Sequence, residues 1–328
     1  MSITSMSSEE IAKLVNVVKP DGNFEKHILH CCRAPEYELR KWLKKTLGRA
    51  GFRFIEDNYK TERANKDKRY DNIHNLVAIR GENPDVCLVA HTDVCREHSE
   101  KTSSRPSNEG YEEFQKWLGD GKKVSKEEYQ LIKDEIIKED KPYRVDPVVK
   151  TVMHNGKQRR IIQDRLCKIQ VGGDDRLGVA INTWIALNTG FDMGLYFPTD
   201  EEIGLKSARA CDIPELKEFE ILVQVDRGNK SNELVTKINN EILCTYEVGT
   251  RLIDIAYKMG KMRAPVTGMH TDVYAIKSRN MCKNAVNMTC GYHDSFGAGA
   301  NEYIEINEAR DTMHYVHEIV KDYYLFGR

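Results

Sequence analysis

Four short apolar runs stop on a histidine or a carboxylic acid, and this feature constrains the fold more than any other. "VCLVAHTDV" delivers His91-Thr92-Asp93, "GLYFPTDEEIG" delivers Asp200-Glu201-Glu202, "FEILVQVDRG" delivers Asp226, and "AVNMTCGYHD" delivers His293. Runs of this length, rich in β-branched and aromatic residues and closed by Gly, Asn or Asp, read as strands. Helical patterns fall between them. Leu39, Trp42, Leu43 and Leu47 share one face before Gly51, "LGVAINTWIALNTG" follows Asp175, and Ala309, Met313, Val316 and Val320 form the stripe of a closing helix. Strands alternating with helices predict an α/β protein: a three-layer α/β/α sandwich around a mixed, mostly parallel central sheet.

In open α/β sheets the carboxyl ends of the strands converge on one crevice, where ligands bind. Two unit charges about 4 Å apart repel by roughly 4 kcal/mol at the effective dielectric of a protein surface. An acid cluster at such a rim therefore needs water, cationic side chains or a metal. "VGGDDRLG" adds Asp174 and Asp175 just before a helix. Simpler readings cover only parts of the set: a helix N-terminus accommodates one of Glu201 and Glu202, and an N-cap explains one of Asp174 and Asp175. Mixed His and carboxylate donors suit Zn²⁺ or a similar divalent ion.

Composition narrows the class. Acids and bases nearly cancel, 51 against 50, which argues against partners recruited by net charge, nucleic acid and membrane surfaces among them. No run approaches the ~20 apolar residues of a membrane span, and "MSITSMSSEEIAKLV" lacks the basic start and apolar stretch of a signal peptide. The nine cysteines are odd in number and scattered, as in a reduced protein without a disulfide framework. The expectation is a cytoplasmic protein. Residues 96–146 are polar and rich in Lys and Glu, with a capping box from Ser125 to Glu128, and Asn155-Gly156 then lies between two alternating runs. Residues 96–165 are thus expected to form a helix-and-hairpin insertion on the main sheet, either a flap or lid or a plain surface elaboration. The whole chain, 1–328, is expected to be one catalytic domain.

The motifs "HTD", "GGDDRLG", "TDEEIG", "VDRG", "GMHTD" and "GYHDSFGAGANEYI" stand in the order seen in the co-catalytic di-zinc exopeptidases. The chain resembles that clan, which includes peptidase T, glutamate carboxypeptidases and zinc aminopeptidases, from about residue 28 to the C-terminus outside 96–165. The resemblance implies two divalent ions, zinc first with cobalt or manganese as alternatives. It implies His91 and Asp226 as ligands of one ion, Glu202 and His293 as ligands of the other, and Asp174 as the bridge. Glu201 matches the general base and Asp93 the acid that orients His91. A cis peptide between Asp174 and Asp175 is also implied, as is hydrolysis of an amide by water that the ions activate.

The chain also departs from the clan. Many members carry a lid or dimerisation domain between the positions of Asp226 and the Gly-x-Thr-Asp stretch, but here Asp226 and His270 are only 44 positions apart. The oligomeric state is left open, and the stand-alone aminopeptidase form is favoured, with a short peptide as substrate. A carboxypeptidase or N-acyl amino-acid deacylase using the same metals is the runner-up. A degenerate binding or scaffold protein is the alternative of another class.

Overall fold

In the computed structural model the described residues are 22–94, 111–112, 125–132, 145–154, 156–167, 170–229, 232–294 and 302–327. The opening residues and most of 96–144 lie outside them.

The central sheet is mixed. Its middle is four parallel strands in the order β6 (Met193–Phe197), β3 (Val86–Val89), β7 (Ile221–Arg227) and β11 (Asn284–Thr289). Antiparallel pairs flank this block. On one side stand β2 (Leu76–Arg80) and β1 (Arg53–Glu56). On the other, β8 (Glu233–Ile238) runs against β11 and carries the parallel edge strand β10 (Ala264–Gly268) and the short β9 (Glu241–Ile242).

Alternate residues of the strands feed two separate cores, because successive side chains of a strand point to opposite faces. Leu76, Ala78, Val86, Leu88, Leu195, Phe197 and Val223 pack with helices α1 (Gly22–Arg33), α2 (Glu36–Arg49), α4 (Gly173–Asn188) and α8 (Ile306–Phe326). Val77, Ile79, Cys87, Val89, Tyr196 and Leu222 pack on the other side with residues of α5 (Lys206–Ala210) and α7 (Asp272–Ser278). Both faces of the sheet are covered, so β3 and β6 are fully buried and read as unbroken apolar runs. This is the expected three-layer α/β/α architecture. Among the described residues no helix is long and apolar enough to cross a membrane, and the eight described cysteines are free.

Within the segment 96–165, helix α3 (Lys126–Ile132) starts directly after Ser125. The strands β4 (Pro147–His154) and β5 (Lys157–Asp164) pair antiparallel, with His154 opposite Lys157 and Gly156 at φ +72°. The strands thus pair on either side of the Asn-Gly signal, as a hairpin requires. The hairpin does not extend the main sheet. It joins a second sheet in the order β12 (Tyr292–His293), β13 (Tyr303–Glu305), β5, β4. Glu25 of α1 ties it down, accepting from both terminal nitrogens of Arg160 at 2.8 and 2.7 Å and from Arg310 at 2.7 Å.

Candidate metal centre

The four parallel strands all end on the same side of the sheet. β3 leads into His91 and Asp93, β6 into Asp200–Glu202, β7 carries Asp226, and β11 leads into β12 with His293. The helix α4 follows the turn at Gly172, which has φ +85°, and opens Gly173-Asp174-Asp175, the two aspartates joined by a cis peptide and lying outside helical φ/ψ. Gly178 lets this helix lie close to β7: a Cβ there would stand 2.5 Å from the Val225 carbonyl oxygen and 2.2 Å from Asp175 Oδ1.

His91, Asp174 and Asp226 each offer a ligand atom, and the three atoms lie within 4.8 Å of one another. His91 is fully buried. Its Nε2 stands 3.1 Å from Asp174 Oδ1 and 3.9 Å from both Asp226 Oδ1 and Glu201 Oε2. Its Nδ1 lies 3.0 Å from the Asp93 carbonyl oxygen, which has only lone pairs to offer, so Nδ1 carries the proton and donates. That tautomer leaves the Nε2 lone pair facing the carboxylates, and two acceptors 3.1 Å apart need a cation or a proton between them.

Electrostatics lead to the same conclusion. Burial, followed by the charges of Asp175 and Asp174, pushes the Asp226 carboxyl well above its usual range. Burial does the same to Glu201, reinforced by Asp272, Asp174 and Glu202 and opposed by His91. For His91 burial works against protonation, but the bonds to Asp174 and Asp93 and the charges of Asp226 and Glu201 outweigh it and raise its pKa. Too many carboxylates thus face one imidazole in a water-poor site. A divalent ion neutralises such a set, and the donors, imidazole with carboxylates, are those zinc accepts. The residues fit the ion.

The neighbouring acids divide by direction. The Asp93 carboxylate accepts from the backbone amides of Glu201 at 3.2 Å and Glu202 at 3.3 Å. Asp175 turns inward, accepting from the amides of His91 and Gly178, so Asp174 alone of the pair reaches the imidazole. Asp200, in the left-handed region at φ +53°, faces away, where Tyr59 (2.7 Å), Thr61 (2.9 Å) and Arg63 (3.0 Å) hold it. Three consecutive acids are therefore tolerated because Asp200 turns away to the buried Arg63 guanidinium, which it shares with Glu36.

Glu202 and His293 do not belong to the group of three. His293 Nε2 lies 2.9 Å from Glu308 Oε2, and its ring stacks on Tyr303 with centroids 5.0 Å apart.

Sequence reasoning assigned no role to two further residues. Gln224 donates to Asp226 Oδ2 and Asp272 Oδ2, both at 3.0 Å, and so holds the Asp226 carboxylate. Its signal was a lone amide inside the apolar run "ILVQV". Glu302 is 1% exposed and accepts from the backbone amides of Gly172 and Asp174. It lies in the quoted "ANEYI" stretch, where nothing local shows that its partner is 128 residues away.

No protein-family model and no curated protein matches the sequence. Solved structures share its fold. The aminopeptidase PepT from Bacillus cereus superposes with a TM-score of 0.60 at 12% identity, covering 93% of this chain and 99% of its own. A Zn-dependent exopeptidase from Parabacteroides distasonis gives 0.52 at 14% identity, over 92% of this chain and 98% of its own. Glutaminyl cyclase from Tannerella forsythia gives 0.52 at 14% identity, over 93% and 96%. The chain has a zinc-exopeptidase-like fold.

Proposed function

We propose that the protein is a metallo-exopeptidase that hydrolyses amide bonds of short peptides, acting as an aminopeptidase. The observation that carries this reading is the convergence of His91, Asp226 and Glu201, at the ends of adjacent parallel strands, with Asp174 at the start of α4. His91, Asp174 and Asp226 would hold one divalent ion, zinc first. Asp174 is proposed to be shared with a second ion held by Glu202 and His293. When bound, such ions polarise a carbonyl and lower the pKa of water.

The protein's own groups do the rest. Asp93 fixes the His91 tautomer through Nδ1 and, through its carboxylate, holds the backbone of Glu201 and Glu202. Glu201 accepts the proton of the attacking water and returns it to the leaving amine. Burial and the neighbouring carboxylates raise its pKa above the usual carboxylate range, which strengthens it as a base. The aminopeptidase form is favoured by the spacing of Asp226 and His270, only 44 positions, which is too short for the lid or dimerisation domain of the larger relatives.

The test is a substrate panel of amino-acid amides, dipeptides, N-acyl amino acids and an N-terminal glutaminyl peptide, assayed with and without chelator. Chelator-sensitive release from amides and dipeptides supports the reading. Turnover only of N-acyl amino acids moves the assignment to a deacylase, and only of the glutaminyl peptide to a cyclase. A metal-free protein with no turnover favours the scaffold.

A further inference from the structure

We propose that Glu302 is a positioning residue that aims Asp174 at His91, and that the hairpin 147–164 braces it there. This rests on the metal reading above.

Glu302 uses both carboxylate oxygens on one loop: Oε2 accepts from the Gly172 amide at 2.6 Å and Oε1 from the Asp174 amide at 3.2 Å. A buried carboxylate is costly unless hydrogen-bonded, and these amides of the loop that leads into α4 supply the bonds. The loop is pressed against the small sheet. A Cβ on Gly173 would meet Tyr292 Cβ at 2.5 Å and Ile304 Cγ1 at 3.2 Å. The amide that Glu302 holds belongs to the residue whose own carboxylate makes the 3.1 Å contact with His91 Nε2.

Glu302 immediately precedes β13, and β13 takes its register from β5: Tyr303 opposite Gln163, Ile304 opposite Ile162, Glu305 opposite Ile161. The described hairpin of the segment 96–165 thus serves as a wall behind the metal loop. The chain reaches Asp174 from behind through β5, β13 and Glu302, while His91 approaches it from β3.

The test is calorimetric titration of Zn²⁺ into the full-length, metal-stripped protein, for wild type, Glu302→Gln and Glu302→Asp, alongside melting of the metal-free forms. In Glu302→Gln an amide NH2 replaces one acceptor and opposes one backbone N–H. Glu302→Asp keeps the charge but falls short by one methylene. Both variants are expected to bind Zn²⁺ about 10–100-fold more weakly, the usual cost of losing an outer partner of a ligand, with metal-free melting little changed. A variant that melts early but binds Zn²⁺ like wild type has lost only a structural bond, and this overturns the proposal. Wild-type affinity in Glu302→Asp overturns it even if Glu302→Gln fails to fold. Wild-type protein that takes up no Zn²⁺ overturns the metal reading itself, and this proposal with it.

Discussion

Asp93 and Glu201 are joined through the backbone: the carboxylate of the first accepts the amide of the second at 3.2 Å. The same aspartate holds Nδ1 of His91 through its carbonyl oxygen at 3.0 Å. One side chain and its own backbone thus set the orientation of the candidate ligand and of the candidate base, which come from two different strands. The site is rigid because β3 and β6 are paired in register just beneath it, Val89 opposite Tyr196.

The first consequence concerns Glu201. Glu201→Gln keeps the size and removes the basic oxygen. The variant is expected to retain the metal content of wild type and to lose at least about 10³-fold in kcat. Metal analysis and steady-state kinetics on the same sample check this, and unchanged turnover in the metal-loaded variant removes Glu201 from the role.

Gly178 gives a packing test. A methyl group there has no room between the Val225 carbonyl and Asp175 Oδ1. Gly178→Ala is therefore expected to push α4 off the end of β7, lowering stability by about 1–3 kcal/mol and weakening metal binding, since Asp174 and Asp226 lie on the two displaced elements. Denaturant unfolding and a metal titration give the two readings.

The clamp on the hairpin is tested at Glu25, which is buried between Arg160 and Arg310. Glu25→Ala leaves both guanidinium groups able to turn towards water, so the expected loss is about 1–2 kcal/mol, below that of breaking a fully buried pair. Limited proteolysis is expected to show earlier cleavage within 147–164. No change in either measurement contradicts the bracing role of Glu25.

A pH test lies far from the metal. His27 donates to or accepts from Thr183 Oγ1 at 2.7 Å and sits between the rings of Trp42 and Trp184. Burial, helped by the nearby His30, lowers its pKa from 6.5 to about 4. Between these values the unfolded chain binds the proton and the folded chain does not, so stability falls as pH drops from 6.5 towards 4. Burial raises Glu302 and Asp272 to about 7, and these groups act in the opposite sense. The informative quantity is therefore the difference between wild type and His27→Gln. The wild type is expected to lose about 2 kcal/mol more than the variant between pH 7 and pH 5, read by urea unfolding.

The architecture was legible because its signals are local. Continuous apolar runs such as "VCLV" follow from a sheet covered on both faces, and the Asn-Gly pair marked the hairpin. The ends of the strands were legible for the same reason, since polarity changes abruptly at His91, Asp200 and Asp226. What the sequence concealed are relationships between distant segments. Nothing near Asp200 shows that Arg63 neutralises it, and nothing near Glu302 points to the Gly172–Asp174 loop. The destination of the hairpin was hidden too: alternation shows that β4 and β5 pair with each other, not that β5 continues into β13. The run that was to end on His293 stops at Thr289, and His293 stands instead in β12 of the small sheet, where its partner is Glu308, a residue in the first turn of the closing helix that the motif did not include.

The most direct test of the central claim is the metal content of gently purified full-length protein, measured by elemental analysis together with hydrolysis of an amino-acid amide before and after chelation. The expected result is about two divalent ions per chain, with hydrolysis lost on chelation and restored by zinc, cobalt or manganese. Protein that carries no ion and remains inactive when divalent ions are supplied would contradict the account and leave the fold as a binding scaffold.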